Sequence, residues 1–480
     1  MWREYGGGRL RAMQGRLAAL WVATLSRVDC AVNCPNGCGG TNVVISSSGS
    51  VVEVVSNDLP FLPPGTETVE YSYTDFENAL DDTIVFGGPM SLNPGDSLYS
   101  NCLVFRRSQQ LFARWLNAER GGIQIGAKKY GVAFQWVGDG SSPTQVANST
   151  AHALRRSGAH FAVTGFSSGT TVHAAKQSYA DGKVLVSAGA ASTAIFVQNP
   201  LSFGLIPSTK AFTSQTLLTI AEAAAQIPCG SSVGSGCKDE IVVGFIKADY
   251  IFTNAQCSHA PTNAADVGLT VVSSVPHTAT VGWPVPTEAE MDAALTTFRD
   301  AGVNVIVGCT CYPTAIELVK ALERIDYNPY AVLHSNSNPT LLVSDIQTGL
   351  WQGEFLLGPA PWHTSRPGVG ALSGLTSEQY FQRYADAYGA DEAASYWGAW
   401  NFGVGLVYMD AIERAQSLDS NAVAQALRDT DLEEFMGRIK FDQNNQNDLT
   451  MLAVQVRSLT CTACKAPALD ALWTPVGPRL

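Results

Sequence analysis

The segment Phe161–Phe196, FAVTGFSSGTTVHAAKQSYADGKVLVSAGAASTAIF, carries hydroxyls and small residues to the end of an apolar strand. Its turn, Gly165-Phe166-Ser167-Ser168-Gly169-Thr170, reads as strand-turn-helix, and two chemistries fit it. The N–H groups of Ser168, Gly169 and Thr170 would open the helix unpaired, with the helix dipole adding partial positive charge, so an anion would bind there. The same turn spells G-x-S-x-G over Gly165, Ser167 and Gly169, the nucleophile elbow of a serine hydrolase.

A hydrolase also needs a histidine and an acid at Ser167. In the chain order Ser, acid, His, the histidines after Ser167 are His173, His259, His277, His334 and His363, which leaves 117 residues behind the last of them. That order usually places its histidine near the end, and no HGGG-type oxyanion segment is present. Anion binding is therefore the preferred chemistry. Ser167 and Thr170 also suit helix N-capping without any ligand.

Strands and helices must alternate to place this turn. Strands are expected at Thr83–Phe86, Tyr130–Val137, Phe161–Thr164 and Val184–Ser187, with helices over Leu103–Ala118 and Thr144–Ser157. The pattern restarts with strands Glu240–Phe245, Leu269–Ser274, Asn304–Val307 and Ala331–Leu333, and helices over Tyr250–Ala265, Glu288–Ala301 and Thr314–Ile325. Later come the strand Trp351–Leu357, helices near Ser377–Tyr388, Tyr396–Ala415 and Asn421–Arg428, and strands Gly437–Phe441 and Met451–Val456. The fold class is α/β, as two doubly wound parallel sheets with helices on both faces. Ligands bind such sheets past the carboxyl ends of the strands. Those positions hold Gly88–Ser91, Asp139–Ser141, Ser167–Thr171, Ala188–Thr193, Lys247–Phe252, Cys309–Thr314 and His334–Asn338.

At 480 residues the chain is long enough for two or three domains. The net charge of −12 argues against nucleic acid and anionic membranes as partners. Residues 1–27 carry Arg3, Arg9, Arg11, Arg16 and Arg27 before and after the apolar run Leu17–Leu25, which reads as a secretory signal when translation starts at Met13. Residues 28–82 read as a low-order extension rich in Ser, Gly, Pro and Thr. Among the 11 cysteines, Cys229 and Cys237 flank a small loop and are the expected disulfide. Zinc is the rival for Cys30, Cys34, Cys38, Cys461 and Cys464, but those groups lie far apart without a nearby histidine, so no metal and no cofactor is expected.

Trp115–Gln145, WLNAERGGIQIGAKKYGVAFQWVGDGSSPTQ, resembles a conserved segment of the type I periplasmic-binding-protein superfamily. Thr164–Ala175, Val186–Ser192, Lys247–Gln256, Cys309–Leu322, the amphipathic helix Phe402–Ala415 and Gly437–Asn445 resemble further segments of it, in order, over about residues 83–458. That superfamily includes leucine/isoleucine/valine-binding proteins and the ectodomains of natriuretic-peptide and GABA-B type receptors. The resemblance implies a two-lobed Venus flytrap: lobe one over 83–207 and 358–436, lobe two over 208–357 and 437–458, and a tail over 459–480.

It also implies the contacts. Ser167, Ser168, Gly169 and Thr170 would hold a ligand carboxylate, and Gly189, Ala191 and Ser192 would form the small-residue turn beside it. Tyr250 and Phe252, then Cys311 and Tyr312, would close from lobe two. The residue facing a ligand ammonium falls at Asn336, where an acid would be expected. The expected function is capture of a small polar ligand, an amino acid or related amide or carboxylate, by hinge closure in a secreted or periplasmic-type compartment. The expected partners are that ligand, a transporter permease or receptor signalling domain, and a second copy in a homodimer. The alternative is a receptor ectodomain whose chain runs beyond Leu480.

Overall fold

The computed structural model describes residues 41–45, 51–56, 68–71, 82–229, 237–282, 285–335, 356–389, 395–456 and 473–475. The signal segment 1–27, Asn336, and Cys30, Cys34, Cys38, Cys461 and Cys464 lie outside them.

An antiparallel hairpin of β1 (Thr41–Ile45) and β2 (Val51–Ser56) comes first. The first sheet has the order β3-β6-β4-β7-β8-β9, from β3 (Thr68–Tyr71), β4 (Asp82–Met90), β6 (Lys128–Gly138), β7 (Phe161–Val163), β8 (Leu185–Ser187) and β9 (Ser202–Gly204), with β5 (Ile123–Ile125) paired to β6. From β6 through β9 the pairing is parallel, whereas β3 joins β6 antiparallel. Thr68–Tyr71 is thus an edge strand within what the sequence presents as a low-order extension. Helices α1 (Tyr99–Arg114), α2 (Pro143–Ala151), α3 (Ser168–Ala180) and α4 (Thr193–Gln198) fall between these strands.

Helix α5 (Ala211–Ala224) leads to the second sheet, in the order β11-β10-β13-β14-β15-β18-β19. Its parallel part holds β10 (Val242–Ala248), β11 (Thr270–Val271), β12 (Thr278–Val281), β13 (Val305–Cys309), β14 (Ala331–His334) and β15 (Leu357–Ala360). Between them run α6 (Ile251–Asp266), α7 (Glu288–Asp300) and α8 (Tyr312–Arg324). The expected strand Leu269–Ser274 shrinks to two residues, and β12 takes up pairing with the carboxyl half of β10. Strand β15 crosses the lobe boundary set at 358, because Leu357–Ala360 pairs antiparallel with β18 (Leu452–Val456). Gly437–Lys440, expected in lobe two, stands outside the second sheet, since as β17 it forms a hairpin with β16 (Asp431–Glu434). In the tail, β19 (Trp473–Pro475) pairs with β18.

The core of the first lobe forms around the helix Tyr396–Ala415. Its second half reads as amphipathic, yet every residue from Tyr396 to Met409 is buried. Alternating glycines make this geometry possible: a Cβ on Gly405 would strike the Phe112 ring, and Tyr408 packs on Phe86 at 4.8 Å between ring centres. A helix enclosed on all sides shows no polar face over the enclosed stretch, and its charged residues wait until Asp410.

Residues 205–210 run from β9 to α5, residues 361–366 leave β15, and residues 441–451 run from β17 to β18. No helix among the described residues is long and apolar enough to cross a membrane.

Candidate functional site

Serine 167 caps α3 with φ 102° and ψ 152°, a backbone region that side-chain-bearing residues rarely enter. The strained turn aims its Oγ at the Thr170 N–H (3.4 Å) and the Thr170 hydroxyl (3.3 Å). Thr170 Oγ1 donates to the Phe166 carbonyl at 2.5 Å, locking the turn from behind.

Across from it, Tyr250 caps α6, which follows β10 in the second sheet. Its Oη lies 3.4 Å from Ser167 Oγ. The same phenol sits directly over Gly169, where any Cβ would collide with it. Ser167, Gly169, Thr170 and Tyr250 are therefore brought together from both lobes. The absence of a side chain at Gly169 lets the phenol reach the first turn of α3.

Ser168 has a different job. It is buried, and its Oγ accepts from the backbone N–H groups of Ala191 and Ser192, both at 3.3 Å. Gly189 accepts from the Ser167 N–H at 3.2 Å, and its own N–H goes to Ser187 Oγ at 3.2 Å. The small residues Gly189, Ala191 and Ser192 thus form a second turn laced to the first. Aromatic rings back it: Phe166 meets Trp397 at 5.0 Å and Phe105 at 6.1 Å, both edge-on. A Cβ on Gly189 would press on the Phe105 ring at 2.9 Å.

The remaining predicted residues line the second lobe's strand ends. Phe252 is half-buried and packs edge-on against Phe212 at 5.3 Å. Cys311 caps α8, its Sγ 3.7 Å from Thr314 Oγ1, and burial pushes its thiol pKa up. Tyr312 opens α8 and packs on the main core. His334 is fully buried, bonded to Thr310 Oγ1 at 2.7 Å, and burial lowers its pKa to about 3, so it stays neutral. On the first lobe, Asp139 accepts from Ser91 Oγ (2.7 Å) and the Ser141 N–H (2.9 Å), while burial raises its pKa.

Cys229 and Cys237 form a disulfide with Cα atoms 5.0 Å apart. Cys309, placed by the sequence at a strand end, is bonded to Cys257 with Cα atoms 5.6 Å apart. That bond ties α6, which carries Phe252, to β13, which leads to Cys311. Among the described residues no group of three His, Cys, Asp or Glu side chains is placed to hold a metal. The nucleophile reading of Gly165-Ser167-Gly169 needs an imidazole on Ser167 Oγ, and the partners found there are the Thr170 and Tyr250 groups.

Two features escaped the sequence reading. The aromatic backing of Phe105, Phe166 and Trp397 joins residues nearly 300 positions apart, with no local pattern to signal it. Gln446 lies one residue beyond the Gly437–Asn445 segment, and its amide Nε2 donates to the Ala191 carbonyl at 2.9 Å.

Comparison with known proteins agrees with the fold. No curated protein sequence matches the chain. Its structure is similar to a periplasmic binding protein from Burkholderia mallei, with a TM-score of 0.63 and 16% identity over 82% of this chain and 94% of that one. It is also similar to a solute binding protein of an ABC transporter from Rhodopseudomonas palustris, solved in complex with 3,4-dihydroxybenzoic acid, with a TM-score of 0.60 and 12% identity over 82% and 95%. A leucine binding protein from Thermotoga maritima gives a TM-score of 0.58 and 16% identity over 78% and 95%. The periplasmic binding protein family model matches residues 103–460, about three quarters of the sequence, and the chain belongs to that family.

Proposed function

We propose that this solute-binding protein captures a small carboxylate-bearing ligand, an amino acid or a related carboxylate or amide, between its lobes. The observation that carries this reading is the first turn of α3, capped by Ser167 and faced by the Tyr250 hydroxyl from the other lobe. A carboxylate there would meet helix-terminal N–H groups and two hydroxyls, with the α3 dipole adding to its binding. The neighbours support the ligand class, one being a leucine binding protein and another holding a dihydroxybenzoate.

In this reading the site works by closure. A ligand that touches both lobes favours the state in which they meet, and bending falls on residues 205–210, 361–366 and 441–451. The lobes are then about 68–207 with 361–440, and 208–360 with 441–456. Delivery to a transporter permease is the favoured output, since a neighbour is an ABC transporter component. Two disulfides favour a secreted or periplasmic-type compartment.

The test is a thermal-shift screen of the full chain against amino acids, small amides and carboxylates, repeated on Ser167→Ala. Stabilisation of the parent by a carboxylate, reduced in the variant, supports the reading. Equal stabilisation of both proteins would overturn it.

A further inference from the structure

The carbonyl of Ala191 is a meeting point of three parts of the chain. It accepts from Gln446 Nε2 at 2.9 Å, in the passage 441–451, and from the Thr209 N–H at 3.1 Å, in the passage 205–210. The N–H of the same residue is held by Ser168 Oγ at 3.3 Å, on the first turn of α3. One peptide segment of the small-residue turn is thus gripped by α3 on one side and by two interlobe passages on the other.

Gln446 is the hub of that second grip. It is 1% exposed, and its side chain has a further donor contact to the Ile206 carbonyl at 3.4 Å and accepts from Thr193 Oγ1 at 2.8 Å. Its backbone runs beside Gly204, where the Gly204 N–H donates to the Asn445 carbonyl at 2.9 Å and the Asn447 N–H to the Gly204 carbonyl at 2.8 Å. Gly204 leaves room for it, since a Cβ there would stand 3.2 Å from Gln446 Cγ. A buried amide loses more by having its partners pulled away than it gains from any one of them, so this cluster moves together.

We infer that Gln446 is a positioning residue that fixes the passage 441–451 to lobe one and, through the Ala191 carbonyl, holds the 189–193 turn beside the ligand in order. The pairing with Gly204 keeps residues 445–447 on lobe one, so the amide stays on the Ala191 carbonyl while the passage bends beyond it. This rests on the ligand-binding reading above for its purpose, but its physical content, a link between hinge and turn, is separately measurable.

The experiment is hydrogen-exchange mass spectrometry on the full chain, comparing wild type with Gln446→Met, Gln446→Glu and Thr193→Val. Gln446→Met is expected to speed exchange in residues 188–193 by about tenfold, roughly the effect of losing one hydrogen bond, with protection inside β10 and β13 unchanged. Gln446→Glu places a carboxylate beside two carbonyls at neutral pH but regains a donor when protonated. Its excess exchange, corrected for intrinsic rates, is therefore expected to fall between pH 7 and pH 4.5. Thr193→Val removes one contact only and gives a smaller effect, which keeps the test open if the methionine variant does not fold. Unchanged exchange at 188–193 in all three variants would overturn the inference, as would loosening spread equally over both sheets. Failure of every carboxylate to bind wild type would instead overturn the ligand reading and leave the exchange result standing.

Discussion

The hydroxyls of Ser167 and Tyr250 lie 3.4 Å apart, one capping α3 in the first lobe and the other capping α6 in the second. Each ends a helix whose N-terminus points into the same space, so the contact marks where the lobes meet. Removing only the phenolic oxygen isolates its role. Tyr250→Phe is expected to weaken carboxylate binding about fivefold to tenfold, the scale of one hydrogen bond, with little change in Tm. Titration calorimetry checks this, and undiminished affinity would count against a bridging hydroxyl.

Gly169 gives a sharper prediction. Alanine is a better helix residue than glycine by about 1 kcal/mol, so Gly169→Ala leaves α3 stable or firmer. Its methyl nevertheless occupies the place of the Tyr250 hydroxyl. Small-angle scattering is expected to show a more open molecule with unchanged or raised Tm. A molecule as compact as wild type would contradict the close approach of these two residues.

The two disulfides differ in the loops they close. Cys257–Cys309 spans 52 positions and Cys229–Cys237 spans 8. Chain entropy assigns about 4 kcal/mol to the longer loop and about 2.5 kcal/mol to the shorter. Urea unfolding of the two double-alanine variants should rank them in that order, with the Cys257 and Cys309 pair the more costly. That pair also anchors α6 beside β13, so its loss is expected to weaken ligand binding, whereas loss of the Cys229 and Cys237 pair is not.

Stability should fall as the solution is acidified below pH 6.5. Burial lowers the pKa of His334 to about 3, so the unfolded chain takes up a proton that the folded one refuses. Its contribution is fully present above pH 6.5 and is lost progressively as pH falls towards 3, amounting to roughly 2 kcal/mol at pH 5. His152, His160 and His259 are shifted the same way by burial, while Asp139 is shifted upward and opposes them. Replacing His334 by glutamine, which can still bond Thr310, should flatten the decline in Tm between pH 7 and pH 5. An unaltered slope would show that His334 does not titrate in this way.

Much of this was legible in the sequence because alternating strands and helices of ordinary length leave a local trace. The turn around Ser167 could be placed on α3 from its small residues alone, whereas the opposing aromatic, Tyr250, rested on the family resemblance. What stayed hidden depends on contacts distant in the chain. Ser168 looked like a ligand contact but faces the Ala191 and Ser192 amides, a partner 23 residues away that spacing does not reveal. The Cys257–Cys309 bond joins a helix to a strand whose packing is known only from the fold. Helix Tyr396–Ala415 was correctly bounded, but its burial on all sides depends on the rings that surround it.

The central claim is that the first turn of α3 receives a carboxylate. The most direct measurement is titration calorimetry of the full chain with matched pairs, L-leucine against L-leucinamide and 3,4-dihydroxybenzoate against its amide. The account predicts that at least one carboxylate binds and that its amide binds at least about tenfold more weakly, as loss of a charge-assisted contact requires. Equal binding of acid and amide, or binding of neither acid, would contradict it.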